Sequence, residues 1–418
     1  MMMKQVFSTC VLLTAVQAFA IPVIDQSTVT ISQSASRAVT VSYQLTGSDP
    51  AIVTMDVQTN AGDNVWVSIG AENFTRLSGA VNRLVTGTGV QTIQWKARRD
   101  WPDRCIDGGK VRAVVTAWPT NAPPDYMVID LSKQGAVFWY VSEAALPYGP
   151  IGNDVYKTSL LVMKRIPAAN VTWRKGSPSW EVGSSSYRSS ENPHYVTLTK
   201  DYYLGVYALT GAQYSRIMTG AESTNKKPQT NLCVDGLRGS NKGRGWPTSA
   251  EIDEDCTVDK LRKLAGNGVA FDLPTDAQWE FACRGGADTA LYNGCDLTSA
   301  TSDENSAKIA WTKQNSGNAL QEVGGRAPNA FGLYDMLGNC YEWCIDYFVT
   351  AAPTGFEIDP LGVESSQAEK DNGSPRHQLR GGAYNHDPER ARCAFRHYGN
   401  GQDKPGDTRG CRLCWTLP

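Results

Sequence analysis

The chain has 418 residues, enough for two domains with separate cores, and its 40 basic against 42 acidic residues leave a formal net charge of −2. With no long run of either sign, nothing points to a nucleic-acid partner or to an anionic membrane surface. Past the first 20 residues no apolar run is long enough to span a bilayer, so no transmembrane segment is expected.

Within residues 1–20, Lys4 precedes a short apolar segment from Val11 to Phe19 that ends Ala18-Phe19-Ala20, the small-x-small pattern of an export signal. Cleavage before Ile21 and export to a periplasmic or extracellular space are expected. Cys10 lacks the preceding leucine of a lipid-anchored leader. Export would place the remaining ten of the eleven cysteines in an oxidising compartment, where an even number suits disulfides better than reactive thiols.

From residue 27 to 131 the sequence reads as short strands: Val29 to Ser32, Val39 to Leu45, Ile52 to Val57, Val65 to Ile69, Thr92 to Lys96 and Val111 to Trp118. In Val39-Thr40-Val41-Ser42-Tyr43-Gln44-Leu45 every second residue is apolar, as a strand with one buried face requires. Several such strands without a helical period predict a β-sandwich domain over residues 21–131. From Pro119 to Tyr156 the composition turns to proline, asparagine and glycine, as in Pro123-Pro124 and Pro147-Tyr148-Gly149-Pro150, and residues 132–157 are expected to be a linker with one strand at Ala136 to Val141.

A second domain is expected over residues 158–418, with strands such as Tyr195 to Leu198 among short capped helices. Thr210-Gly211-Ala212-Gln213 and Thr275-Asp276-Ala277-Gln278 are capping boxes, Thr257 opens a helix between them, and Gly266 stops it. The long loop from Ala287 to Ile309 needs support from ions, disulfides or its own side chains. In Asp335-Met336-Leu337-Gly338-Asn339-Cys340-Tyr341-Glu342 two carboxylates flank a glycine-asparagine turn. Either a hard cation or side-chain hydrogen bonding can satisfy such a buried loop. Cys411-Arg412-Leu413-Cys414 has the spacing of a redox pair, but no helix follows to lower a thiol pKa, so structural cysteines are expected.

Three motifs now stand in order: Leu273-Pro274-Thr275-Asp276-Ala277-Gln278-Trp279-Glu280-Phe281-Ala282-Cys283-Arg284-Gly285-Gly286, then Gly332-Leu333-Tyr334-Asp335-Met336-Leu337-Gly338-Asn339 with Glu342-Trp343, then Leu379-Arg380-Gly381-Gly382. In this order and spacing they resemble the sulfatase-modifying-factor family, which includes the formylglycine-generating enzymes. The resemblance implies an α+β chain, an N-terminal β-sandwich followed by a loop-rich domain of C-type-lectin-like fold. It also implies a structural calcium ion at Asp335, Gly338, Cys340 and Glu342, and a disulfide between Cys283 and Cys393.

The formylglycine-generating members of the family hold copper on two cysteines that follow the Arg-Gly-Gly motif. Here His386 stands at the first of those positions, and the segment to Cys393 is too short to carry the second. Copper-dependent formylglycine formation is therefore not expected. The sequence favours an exported recognition or assembly module whose protein or glycan ligand would meet Tyr384, Asn385, His386, Arg390 and Arg396, with Tyr398 beside them. The competing reading is a metal-dependent oxidoreductase with a non-standard site at His386, drawing on His377, His397 and Asp387, or with an unusual cysteine pair.

Overall fold

A computed structural model describes residues 21–47, 50–102, 104–106, 109–183, 189–239, 252–266, 268–362, 376–398 and 405–418. The expected export signal, with Cys10, lies outside the described residues. The first domain is a sandwich of two antiparallel sheets. One runs in the order Val23–Ile24, Val39–Thr46, Gly89–Trp95, Leu77–Gly79, with Thr30–Gln33 also on the second strand. The other runs Trp66–Ser68, Ala51–Asn60, Arg83–Val85, with Val111–Pro119 also on the central strand.

Alternation explains the inner face: Val39, Val41, Tyr43 and Leu45 are buried while the residues between them are partly exposed. Ala51–Asn60 breaks that pattern, with its first five residues all buried. Its Val53 and Val57 enter the sandwich core, and Ile52 on the opposite face joins the core of the second domain with Trp139.

The linker reading of residues 132–157 is corrected by the structure. Tyr126–Asp130 and Val137–Tyr140 pair as a hairpin and extend an antiparallel sheet through Leu160–Ile166, Tyr202–Gly205 and Cys414–Thr416. Leu146, Ile151 and Tyr156 are buried in a cluster with Val128, Tyr140 and Val162. Prolines and glycines gave this stretch a linker's composition, but the apolar residues between them fill a core. The change of domain falls at the turn in which Ala122 N–H donates to Pro119 O.

Both capping boxes form, at the helices Gly211–Thr219 and Asp276–Arg284. The helix Thr257–Ala265 opens at Thr257 as expected, with the sulfur of Cys256 as its N-cap, and ends at Gly266. The 287–309 loop is held by its own polar groups, Asp296 accepting from Ala290 N–H and Asp303 from Thr298 and Ser306 N–H. Most important for the site, Tyr341–Tyr347 pairs antiparallel with His377–Arg380 and parallel with Arg409–Gly410, so Glu342 lies opposite both Arg380 and Gly410.

Candidate functional site: the Gly338 turn and the 383–398 loop

The Gly338-Asn339 turn is held almost entirely by hydrogen bonds within the chain. Gly338 has φ +77°, and a Cβ there would stand 2.4 Å from the Trp311 carbonyl oxygen, so only glycine fits. Its N–H donates to Gly381 O at 2.7 Å, and Asn339 N–H donates to Trp311 O at 2.8 Å. The Asn339 side chain accepts from Gln321 N–H and donates to Gln321 O.

Glu342 is buried and its carboxylate is already engaged. Arg412 Nε lies 3.1 Å from both oxygens, Arg412 Nη2 lies 2.9 Å from Oε1, and Trp279 Nε1 donates to Oε2 at 2.6 Å. Arg412 also donates to the carbonyls of Gly205 and Tyr334, so its guanidinium ties three segments together. Sequence reasoning missed this arginine, although it stands between Cys411 and Cys414, whose spacing was considered and read as structural.

Asp335 is different. Its Oδ2 accepts from Gly324 N–H at 2.6 Å, while Oδ1 is buried without a hydrogen-bond partner. Burial pushes its pKa up to about 6, against the opposing pull of the Gly324 hydrogen bond and Arg412. Arg412 neutralises one of two buried carboxylates, and the second keeps an unspent oxygen. The unpartnered Oδ1 of Asp335 is free to meet a hard cation, and the set implied by the family resemblance would add Glu342 and the carbonyls of Gly338 and Cys340. Bound there, the ion would supply charge neutralisation and crosslinking of the loop.

The remaining motif residues form a second buried charge cluster. Arg380 pairs with Asp276 and, at 2.8 Å, with Glu280; Lys175 reaches Asp276 at 2.5 Å, and Arg284 reaches Glu280 at 2.9 Å. Burial alone would raise the pKa of Glu280, but Arg284, Arg380 and Lys175 bring it down to about 2. Arg396 belongs to this cluster, which corrects its assignment to a ligand surface. It is buried, lies 3.4 Å from Asp276, and donates to Gln378 and to Ser190 O.

The 383–398 loop packs on the turn. Tyr384 N–H donates to Asn339 O, Ser316 Oγ to Tyr384 O, and Lys313 N–H to His386 O. Tyr384, Asn385, His386 and Arg390 are all half-buried. Asn385 Oδ1, His386 Nδ1 and the neighbouring Thr312 Oγ1 are buried without hydrogen-bond partners. The Tyr341 ring lies 5.3 Å from His386 and 5.2 Å from His397. Tyr341 and Thr312 were not anticipated; the place of Tyr341 between Cys340 and Glu342 was the available clue.

Burial first, then Arg390, lowers the pKa of His386 to about 4 and that of His397 to about 3. Both imidazoles are therefore neutral at physiological pH, suited to hydrogen bonding. The third histidine of the expected trio is elsewhere, with His377 against the Tyr347 ring at 4.2 Å. Among the described residues no group of three or more His, Cys, Asp or Glu side chains is placed to hold a metal ion.

The sulfurs of Cys283 and Cys393 lie 3.7 Å apart in the buried core. Burial pushes the Cys283 thiol up, and the neighbouring Cys393 adds to it. Cys411 and Cys414 pack into different hydrophobic clusters, and burial raises both thiols. A redox pair needs the opposite shift.

A sandwich followed by a loop-rich α+β domain, whose turn, helix and Arg-Gly-Gly strand are locked by buried ion pairs, defines the class. Residues 163–417 match the model of the sulfatase-modifying factor enzyme 1-like domain, and the chain belongs to that family. It is 36% identical over 107 residues to a formylglycine-generating enzyme of Thermomonospora curvata, covering 23% of this chain and 35% of that one. The chain thus spans about a third of that relative's length. It is 25% identical over 198 residues to the chaperone protein LppX of Paenibacillus barcinonensis, covering 38% of this chain and 67% of that one. Among solved structures, Treponema denticola variable protein 1 is similar at 23% identity and a TM-score of 0.45, over 62% of this chain and 96% of that one.

Proposed function

We propose that the protein is an exported recognition or assembly module of the sulfatase-modifying-factor family that does not carry out copper-dependent formylglycine formation. One observation carries the reading: the family's first copper-ligand position holds His386, while the loop's one thiol, Cys393, lies in the core beside Cys283. Soft thiolate ligands are what Cu(I) requires, and the loop offers neutral imidazoles, an amide and hydroxyls instead. The unspent polar atoms of Thr312, Asn385 and His386 support ligand binding beside Tyr384 and Arg390, with an extracellular protein or glycan as the partner. One relative, 25% identical over 198 residues, is named as a chaperone protein, which supports a non-catalytic use. A structural calcium ion at Asp335 and a Cys283–Cys393 disulfide complete the proposal.

The test incubates the mature protein with copper, oxygen, a thiol and a Cys-x-Pro-x-Arg peptide and reads the peptide mass. The proposal expects an unchanged peptide, and aldehyde formation would overturn it.

A further inference from the structure

A second concave site lies away from the turn and shares no lining residue with the 383–398 loop. It is a groove of about 780 Å³, within the size range of ligand sites, between the paired strands Val171–Lys175 and His194–Leu198 and the end of the Asp276–Arg284 helix. Its wall is an aromatic series, the Trp173 ring meeting Phe281 edge-on at 5.5 Å and Phe281 meeting Phe331 at 6.0 Å. At its margin stand Trp180 and Tyr195, 65% and 60% exposed. Two large rings left in water beside an aromatic groove mark a surface that gains by being covered.

The polar groups narrow what covers it. Arg174 is anchored through Nη2 to the Asp288 carbonyl at 2.6 Å, and its Nε is buried without a hydrogen-bond partner. Trp173 Nε1 is buried and unpaired in the same way. Asp288, Thr172 and Thr289 line the groove as well and supply acceptors. Arg174 and Asp288 carry opposite charges, and the third charged lining residue, Arg284, is paired with Glu280 at 2.9 Å, so little unmatched positive charge is left for an anion, and charged groups beside the rings disfavour a lipid tail. A polyhydroxylated ring matches the rest, since its C–H face stacks on an indole or phenol while its hydroxyls both accept and donate.

We infer that this groove binds a neutral carbohydrate chain, with Trp180 and Tyr195 as stacking platforms and Arg174 and Asp288 as hydrogen-bonding partners. The inference is independent of the 383–398 loop, so either can fail without the other.

The experiment titrates the mature protein with cellohexaose, xylohexaose, mannohexaose and chitohexaose, following tryptophan fluorescence and heat. At least one should bind, and Trp180→Ala and Tyr195→Ala should each weaken it about tenfold, as loss of one stacking contact implies. Both side chains are largely exposed, so thermal melting should be unchanged and a folding defect is separable. Val90→Ala, at an exposed position of the first domain, should bind as the wild type does, while Tyr384→Ala reports any sugar held at the 383–398 loop instead. Binding of none of the four sugars, equal binding by the Trp180 variant, or binding lost only in Tyr384→Ala would each overturn the inference.

Discussion

The Gly338 turn and the 383–398 loop are joined by the hydrogen bond from Tyr384 to Asn339, yet apart from Asp335 Oδ1 they use polar groups in opposite ways. In the turn and the strands beside it, Glu342, Arg412, Asp276, Glu280 and Arg380 are buried and paired. In the loop, Asn385, His386 and neighbouring Thr312 hold buried polar atoms with nothing to bond. The difference teaches that the residues by which the family is recognised build the scaffold. Their presence alone therefore does not assign an activity.

The largest effect expected from breaking this contrast is at Arg412. Arg412→Leu leaves Glu342 buried and charged without its partner and should lower stability by about 3–5 kcal/mol. Denaturant unfolding measures this, and adding Glu342→Gln to the same chain should recover part of the loss. An unchanged midpoint in the single variant would mean that the pair is not the lock described.

Asp335 comes next, and the sign matters. Its folded pKa of about 6 lies above its ordinary value of 3.8, so the stability linked to its proton is present below pH 3.8 and is lost as pH rises through 6. Near pH 7.5 in chelator, Asp335→Asn should be more stable than the wild type by up to about 3 kcal/mol, and the gap should close in acid. Millimolar calcium should raise the melting temperature of the wild type and leave the variant unmoved. Equal melting of the two proteins at every pH and calcium level would remove the cation site.

Thr275→Ala deletes the capping oxygen that accepts from Gln278 N–H and should cost about 1 kcal/mol by thermal unfolding. The smallest effect belongs to the loop. Tyr384→Ala is expected to change stability by no more than about 0.5 kcal/mol, as at other sites outside the core. A loss comparable to that at Arg412 would show that the loop too is scaffold.

Much of this architecture was legible in the sequence. The alternation of Val39 to Leu45, the two capping boxes and the order of the three motifs report local periodicity or spacing, and both survive folding. What was not legible depended on contacts far apart in the chain. Arg412 meets Glu342 across 70 positions, and Arg396 meets Asp276 through the fold. An arginine that pairs in the core cannot be told by sequence from one that waits for a ligand. In residues 132–157 the strand near Ala136 to Val141 was legible, but the linker assignment failed, because composition recorded the turns and not the core that Leu146, Ile151 and Tyr156 fill.

The account rests most directly on Cys393 being unavailable to a metal. Native protein should be alkylated without reductant, then digested and mapped by mass spectrometry. The predicted result is a linked Cys283–Cys393 peptide with Cys393 unlabelled; rapid labelling of Cys393 in the folded protein would contradict it.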